Sequence, residues 1–147
     1  MSWTPHATVA AIIEQNGRFL MVEEISNGKL VINQPAGHVE EGESFETATL
    51  RETLEETGCH VELTALVGLY IAKGEENGIT YHRLCYAANL LQQNPNAELD
   101  KEIVRTRWMT RAELVAEKSA LRSPMVLACI DDYLDNQRIP LSFVRQL

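Results

Sequence analysis

Basic residues are scarce in this chain: Lys and Arg number 13 against 21 Asp and Glu, for a formal net charge of −8. Proteins that grip nucleic-acid polymers by their backbone need a basic surface, so this balance argues against such a partner. Long apolar runs are also missing. No uninterrupted stretch approaches the roughly 18 residues of a membrane span. The opening segment, MSWTPHATVAAIIEQ, lacks the basic start and apolar run of a secretory leader. Cysteine is sparse and odd in number, at Cys59, Cys85 and Cys129. Without metal-type pairing these read as reduced, mostly buried residues of a cytoplasmic protein. There is no internal repeat and no low-complexity tract. What is present is 147 residues, 45% hydrophobic and 23% charged, which fits one globular domain over 1–147. An acidic protein can still take a phosphorylated small molecule when a divalent cation and a few local Arg or Lys residues bridge the two.

Residues 7–14 and 18–25 read as strands joined at Asn16-Gly17, a hairpin signal. SNGK at 26–29 is a second turn, and 30–33 a short strand. QPAGHVEEG, residues 34–42, reads as a loop, stiffened by Pro35. HVELTALVGLYIAK, 60–73, is one bent strand or two, with Gly68 at the bend. After the turn at 74–78, residues 79–91 and 103–109 supply further strands. Thr110 and Glu113 form a capping box that opens a short helix to about residue 118. Ser123-Pro124 opens another to about 136, and the tail packs back on the body. The pattern predicts an α/β (α+β) domain, with a sheet covered by helices on both faces.

Between the strands lies GHVEEGESFETATLRETLEETGC, residues 37–59, whose second half reads as a helix over 44–57. Ser44 can cap its start, although Thr47 stands where a full capping box prefers Glu or Gln. Gly58 can take the left-handed conformation that ends it. Glu52, Glu55 and Glu56 share one face and span about 6 Å of axis. Like charges so spaced repel unless a cation sits among them. The spacing alone supports either a cation site or a solvated acidic surface. Leu50 and Leu54, on the opposite side, are expected to bury against the sheet.

This stretch resembles the Nudix box: Gly37, Glu43, Arg51, Glu52, Glu55, Glu56 and Gly58 all fall on the family pattern, while Thr53 and Cys59 depart from its two aliphatic positions. The resemblance implies a Nudix αβα sandwich with a mixed sheet between helices, and metal-assisted attack of water on a diphosphate or triphosphate, with Mg²⁺ (or Mn²⁺) as cofactor. By match to the box, Glu52, Glu55 and Glu56 are the expected ligands, joined by the carbonyl of Ala36. Arg51 is expected to orient a helix carboxylate through a bidentate pair, and Glu43 to support the helix. Related chains often add a carboxylate from outside the helix, as ligand or base. Glu102 is the first candidate, with Glu98 and Asp100 as alternatives. The general base is Glu55 or Glu56 if it is not Glu102.

Several residues outside the helix are candidates for contact with substrate. His38 could reach phosphate or cap the loop. Arg83 could face the cleft or point away. Lys29 and Arg122 are phosphate candidates, and Asn33 and Gln34 could bond to a base or pyrimidine. Tyr70, Tyr81, Tyr86 and Trp108 could stack on a ring or belong to the core. The runs NQPAGHVEEGE and Leu121 to Pro124, and the pair Arg107-Trp108, resemble a bacterial Nudix subgroup of phosphatases. That likeness implies thiamine pyrophosphate, hydroxymethylpyrimidine diphosphate and nucleoside di- and triphosphates as substrates. Hydrolysis of ADP-ribose or dinucleoside polyphosphates is the rival activity, and a catalytically silent nucleotide- or protein-binding domain the rival class. A monomer or small homo-oligomer is expected.

Overall fold

Asn16-Gly17 (φ 52° and 78°) and Asn27-Gly28 (φ 51° and 75°) each place two consecutive residues at positive φ. Tight hairpin turns of that kind match the twist of the strands they join. They link β1 (His6–Gln15), β2 (Arg18–Ser26) and β3 (Lys29–Asn33) in a computed structural model that describes residues 2–147. The segment 34–42, expected as a loop, contains a short strand, β4 (Ala36–His38). Its backbone pairs antiparallel with β1, Thr8 opposite His38 and Ala10 opposite Ala36. Nothing in AGH signals a strand; the free edge of β1 makes it one.

After α1 (Phe45–Thr57) come β5 (Cys59–Lys73), β6 (Thr80–Gln93), β7 (Ile103–Met109), α2 (Arg111–Ala116) and α3 (Met125–Leu134). β5 is a single strand. Its register against β6 shifts at three places, one of them between Leu66 and Gly68, so the bend expected at Gly68 is a bulge. The seven strands run β3-β2-β1-β6-β5, with β4 on β1 and β7 on β2. β1 and β6 are parallel and the other pairs antiparallel, so the sheet is mixed.

β1 spends residues 8–10 on β4 and meets β2 only at Glu14 and Gln15. The β2–β3 hairpin therefore diverges from β4, and a wedge opens between the two halves of the sheet. One face of β1 and β6 (Ala10, Ile12, Cys85, Ala87) packs on Val126, Cys129 and Ile130 of α3. Ile12, Val126 and Ile130 each contribute about 1.5–3 kcal/mol through burial. α1 covers the other face.

Helix α1 corrects one expectation. Leu50 and Leu54 are 41% and 40% exposed, and the buried face is Ala48, Thr49, Thr53, Glu56 and Thr57. The threonines can face the sheet because each hydroxyl is satisfied within the helix: Thr49 donates to the Phe45 carbonyl, Thr53 to that of Thr49, and Thr57 to that of Thr53, at 2.6–2.7 Å. Only methyl groups are left to pack, and a small face lets the helix lie close to β4. Ser44 accepts from the Thr47 N–H at the start, and Gly58 closes the end at φ 71°, as the capping chemistry predicts.

Candidate metal centre

Close approach of α1 to β4 sets the position of Glu52. Its carboxylate lies against the Cα of Gly37, in the space a Cβ would occupy. One turn on, the buried Glu56 accepts the Ala36 N–H at 3.0 Å. The third carboxylate arrives from the β6–β7 connection, which is stitched to the C-terminal end of α1. Asn94 N–H donates to the Gly58 carbonyl and Asp100 N–H to that of Glu55, both at 3.0 Å. Carboxylate oxygens of Glu52, Glu55 and Asp100 consequently lie within 4.8 Å of one another.

Arg51 organises this cluster. Its Nε and Nη2 make a bidentate pair with Glu43 (2.6 and 3.0 Å), and its Nη1 donates to Glu52 (2.8 Å) and Glu55 (3.1 Å). Nη2 also donates to the His38 carbonyl at 3.0 Å, tying the helix to β4. The bidentate partner is thus Glu43, which precedes the helix, and the helix carboxylates take single bonds. The Arg51 guanidinium, with help from the Glu40 N–H, holds the Glu43 carboxyl down to about 2. Arg51→Lys removes the fork that serves all these acceptors. It should weaken divalent-metal affinity about 10- to 100-fold, as calorimetric titration with Mn²⁺ would show; unchanged affinity would reduce Arg51 to a surface ion pair.

Charge in the cluster is not balanced by protein groups. Burial pushes the Glu52 carboxyl upward against the pull of Arg51. Burial, then Glu55 and Glu102, push Asp100 upward. Burial raises Glu56 to about 9, with Glu24, Glu52 and Asp100 adding to the shift. A hard divalent cation would reverse that cost. Oxygens bound to one cation lie at most two bond lengths apart, roughly 4.2 Å for Mg²⁺ and about 5 Å for Ca²⁺. The all-oxygen cluster therefore fits a hard cation with a small inward adjustment.

The structure brings Glu52, Glu55 and Asp100 together and sets Glu56 beside them, inside the protein. Glu102, the first candidate for the outer carboxylate, lies next to the cluster rather than in it. Its backbone carbonyl accepts from Ile25 N–H at 3.0 Å, and its charge acts on Asp100. Asn33, Gln34 and Arg83 also meet. Arg83, only 3% exposed, donates to Gln34 Oε1 at 2.8 Å and Asn33 Oδ1 at 3.0 Å. Its Nε has no partner among the described residues. Arg83→Met would strand those two amide oxygens and should cost about 1–3 kcal/mol for each group left unpaired, read as a lowered melting temperature. An unchanged melting temperature with a raised KM would instead place Arg83 on the substrate.

His38 keeps an exposed surface, but its ring packs among neighbours: its Nε2 lies 2.9 Å from His6 Nδ1 and the ring stands edge-on to Tyr81. Burial, His6 and Arg122 lower its basicity. Arg122 donates to Glu24 at 2.8 Å, and Lys29 sits at a hairpin tip bonded to Glu76. Tyr86 is buried, Tyr70 donates to Asp132 at 2.7 Å, and Trp108 packs on a core cluster. The seat that Gly37 gives Glu52, and the placing of Glu24 and His6 beside the site, are not legible in the sequence. Gly37 was visible only as a motif position. An open groove of about 460 Å³ lies on the other side of α1, lined by Leu50, Val61, Leu63, Leu91 and Leu141 with Glu46 and Glu62. It contains none of the clustered carboxylates, so shape would misplace a site that chemistry locates.

A mixed sheet between helices, with an Arg-organised carboxylate cluster at the end of the helix after β4, defines a hydrolase of phosphoric anhydrides. The NUDIX domain family matches residues 4–128, and the chain belongs to the Nudix hydrolases. It is 38% identical over 142 residues to the phosphatase NudJ of Escherichia coli K12, covering 95% of this chain and 90% of that one. A NUDIX hydrolase structure from Nitrosomonas europaea superposes with a TM-score of 0.95 at 41% identity, over 98% of both chains. The MutT protein from Methanosarcina mazei Go1 (TM-score 0.75, 17% identity, 94% of this chain and 99% of that one) shares the fold.

Proposed function

We propose that this Nudix hydrolase is a Mg²⁺-dependent phosphohydrolase, with Mn²⁺ as an alternative ion. Its proposed substrates are thiamine pyrophosphate, hydroxymethylpyrimidine diphosphate and nucleoside di- and triphosphates. The likeness to a protein named for phosphatase activity over nearly the whole chain supports the substrate class. The observation that carries the reading is the meeting of Glu52, Glu55 and Asp100 oxygens within 4.8 Å.

Glu52, Glu55 and Asp100 are the proposed metal ligands, with Glu56, the Ala36 carbonyl and Glu102 completing or supporting the set. A divalent cation there would neutralise developing charge on phosphoryl oxygens and lower the pKa of the attacking water. Glu55 belongs to the cluster, with a side chain 38% exposed against 14% for Glu52; this more open position makes it the proposed general base. Glu56 can accept the proton in its place once a cation offsets its burial. Water's oxygen forms the new bond to phosphorus, the bridging oxygen departs with the rest of the substrate, and the base keeps the proton. Arg51 positions Glu52 and Glu55. His38 is the proposed phosphate contact, with Asn33, Gln34 and Arg83 shaping the floor beneath the substrate. No helix is long and apolar enough to cross a membrane. A single domain over 1–147, working in the cytoplasm as a monomer or small homo-oligomer, completes the proposal.

A panel assay tests it: release of orthophosphate and pyrophosphate from thiamine pyrophosphate, nucleotides and ADP-ribose with Mg²⁺. Orthophosphate from the first two is expected. Exclusive cleavage of ADP-ribose rejects the substrate assignment, and no turnover of any compound favours a binding domain.

A further inference from the structure

Two hairpin tips from different halves of the sheet meet over the wedge. The β2–β3 turn carries Asn27 and Lys29, and the β5–β6 turn carries Glu76. Lys29 Nζ lies 3.0 Å from Glu76 Oε1, and Asn27 Nδ2 donates to Glu76 Oε2 at 3.1 Å. One carboxylate thus holds two donors of the opposite hairpin. The halves join again lower down, where Arg83 of β6 donates to Asn33 of β3 at 3.0 Å. Lys29 and Asn33 are the two ends of β3, so roof and floor are separated by about 13 Å of strand.

The walls between them are polar. Arg122 donates to Glu24 of β2 at 2.8 Å, the rings of His38 and Tyr81 stand edge-on on β4 and β6, and the charge of Arg122 reaches His38. Tyr81 is tied to the β5–β6 turn, its hydroxyl bonded to Asn77 Nδ2 at 2.8 Å. The His38 carbonyl accepts from Arg51 and the charge of Glu24 acts on Glu56, so these residues border the carboxylate cluster.

We propose that the Lys29–Glu76 pair is a latch that sets the length of substrate the cleft admits. Closed, it confines the cleft to a short phosphorylated molecule, such as a diphosphate on a single ring system. A substrate with a second nucleoside beyond its phosphates must break the latch to bind. The proposal rests on the reading that phosphate sits at the Glu52–Glu55–Asp100 cluster. Both partners are largely exposed, at 71% and 54% for the side chains. An exposed ion pair biases an equilibrium by up to about fivefold and is screened by salt. A ligand that needs the open form loses apparent affinity in proportion to the fraction closed.

Lys29→Glu and Glu76→Lys both break the pair while moving local charge in opposite directions. The measured quantity is the ratio of kcat/KM for diadenosine tetraphosphate to that for thiamine pyrophosphate, with Mg²⁺. Each single variant should raise the ratio, by up to about fivefold, and the charge-swapped double variant should restore it. A ratio that moves in opposite directions in the two singles reports simple charge attraction and overturns the latch. So does a ratio unchanged in either single, or unrestored in the swap. If wild type turns over neither compound, the substrate reading fails by itself. Amide hydrogen exchange at 26–29 and 75–79 then decides the latch: faster in both singles and slow again in the swap if it exists, indifferent to all three if it does not.

Discussion

Replacing Glu56 by Gln should cut turnover by about 10²- to 10⁴-fold and leave a folded protein. Glu56 is 7% exposed and bonded to the Ala36 N–H. Burial, reinforced by Glu24, Glu52 and Asp100, lifts its carboxyl to about 9. In metal-free protein at neutral pH the side chain is therefore a neutral acid. Gln copies its size and keeps an oxygen for Ala36, but it can neither ligate as an anion nor accept a proton. A second consequence follows by linkage. The folded value lies above the ordinary 4.5, so the native state holds this proton more tightly than the unfolded chain. The associated stability is complete below about pH 4.5 and is lost as pH rises toward about 9. Chelator-treated wild type should lose about 3 kcal/mol through this group between pH 4.5 and neutrality. Denaturant titrations of Glu56→Gln should show a flatter profile, and a matching slope in the two proteins would place the proton elsewhere.

Gly37→Ala should be nearly as damaging to activity, by about 10²-fold, since displacing a reacting group by about 1 Å has that effect. The backbone of Gly37 is outside the left-handed region, so alanine is conformationally acceptable there. The new methyl group would occupy the position of the Glu52 carboxylate and push it out of the cluster. Turnover and metal affinity should fall together while the melting temperature changes little. Wild-type values for both would mean that Glu52 functions without its seat on Gly37.

Much of this architecture was legible from local chemistry. Two Asn-Gly pairs, the caps at Ser44 and Thr110 and the glycine at 58 fix turns and helix ends without distant partners. The carboxylates of α1 were legible because helical spacing puts them on one side. What the chain pattern hid depends on contacts far apart in sequence. β4 exists because β1 offers it an edge. Leu50 and Leu54 face outward because Thr49, Thr53 and Thr57 satisfy their own hydroxyls and present a smaller face to the sheet. Asp100 rather than Glu102 joins the cluster because backbone bonds from the β6–β7 connection to Glu55 and Gly58 set which carboxylate points inward, and spacing from a strand start does not encode that. The sequence leaves Arg83 free to face the cleft or point away, and two amides, of β3 and the following residue, hold it inside.

On the proposed reading, Glu52, Glu55 and Asp100 jointly hold a divalent cation where a phosphate can reach it. Titration of the isotopically labelled protein with Mn²⁺, followed by paramagnetic broadening of backbone amides, tests it directly. Saturable broadening is expected, centred on residues 36–37, 52, 55 and 100, tightened by added diphosphate and abolished in the Glu52→Gln/Glu55→Gln double variant. Broadening that never saturates, or that spreads evenly over the acidic surface with or without diphosphate, would contradict it.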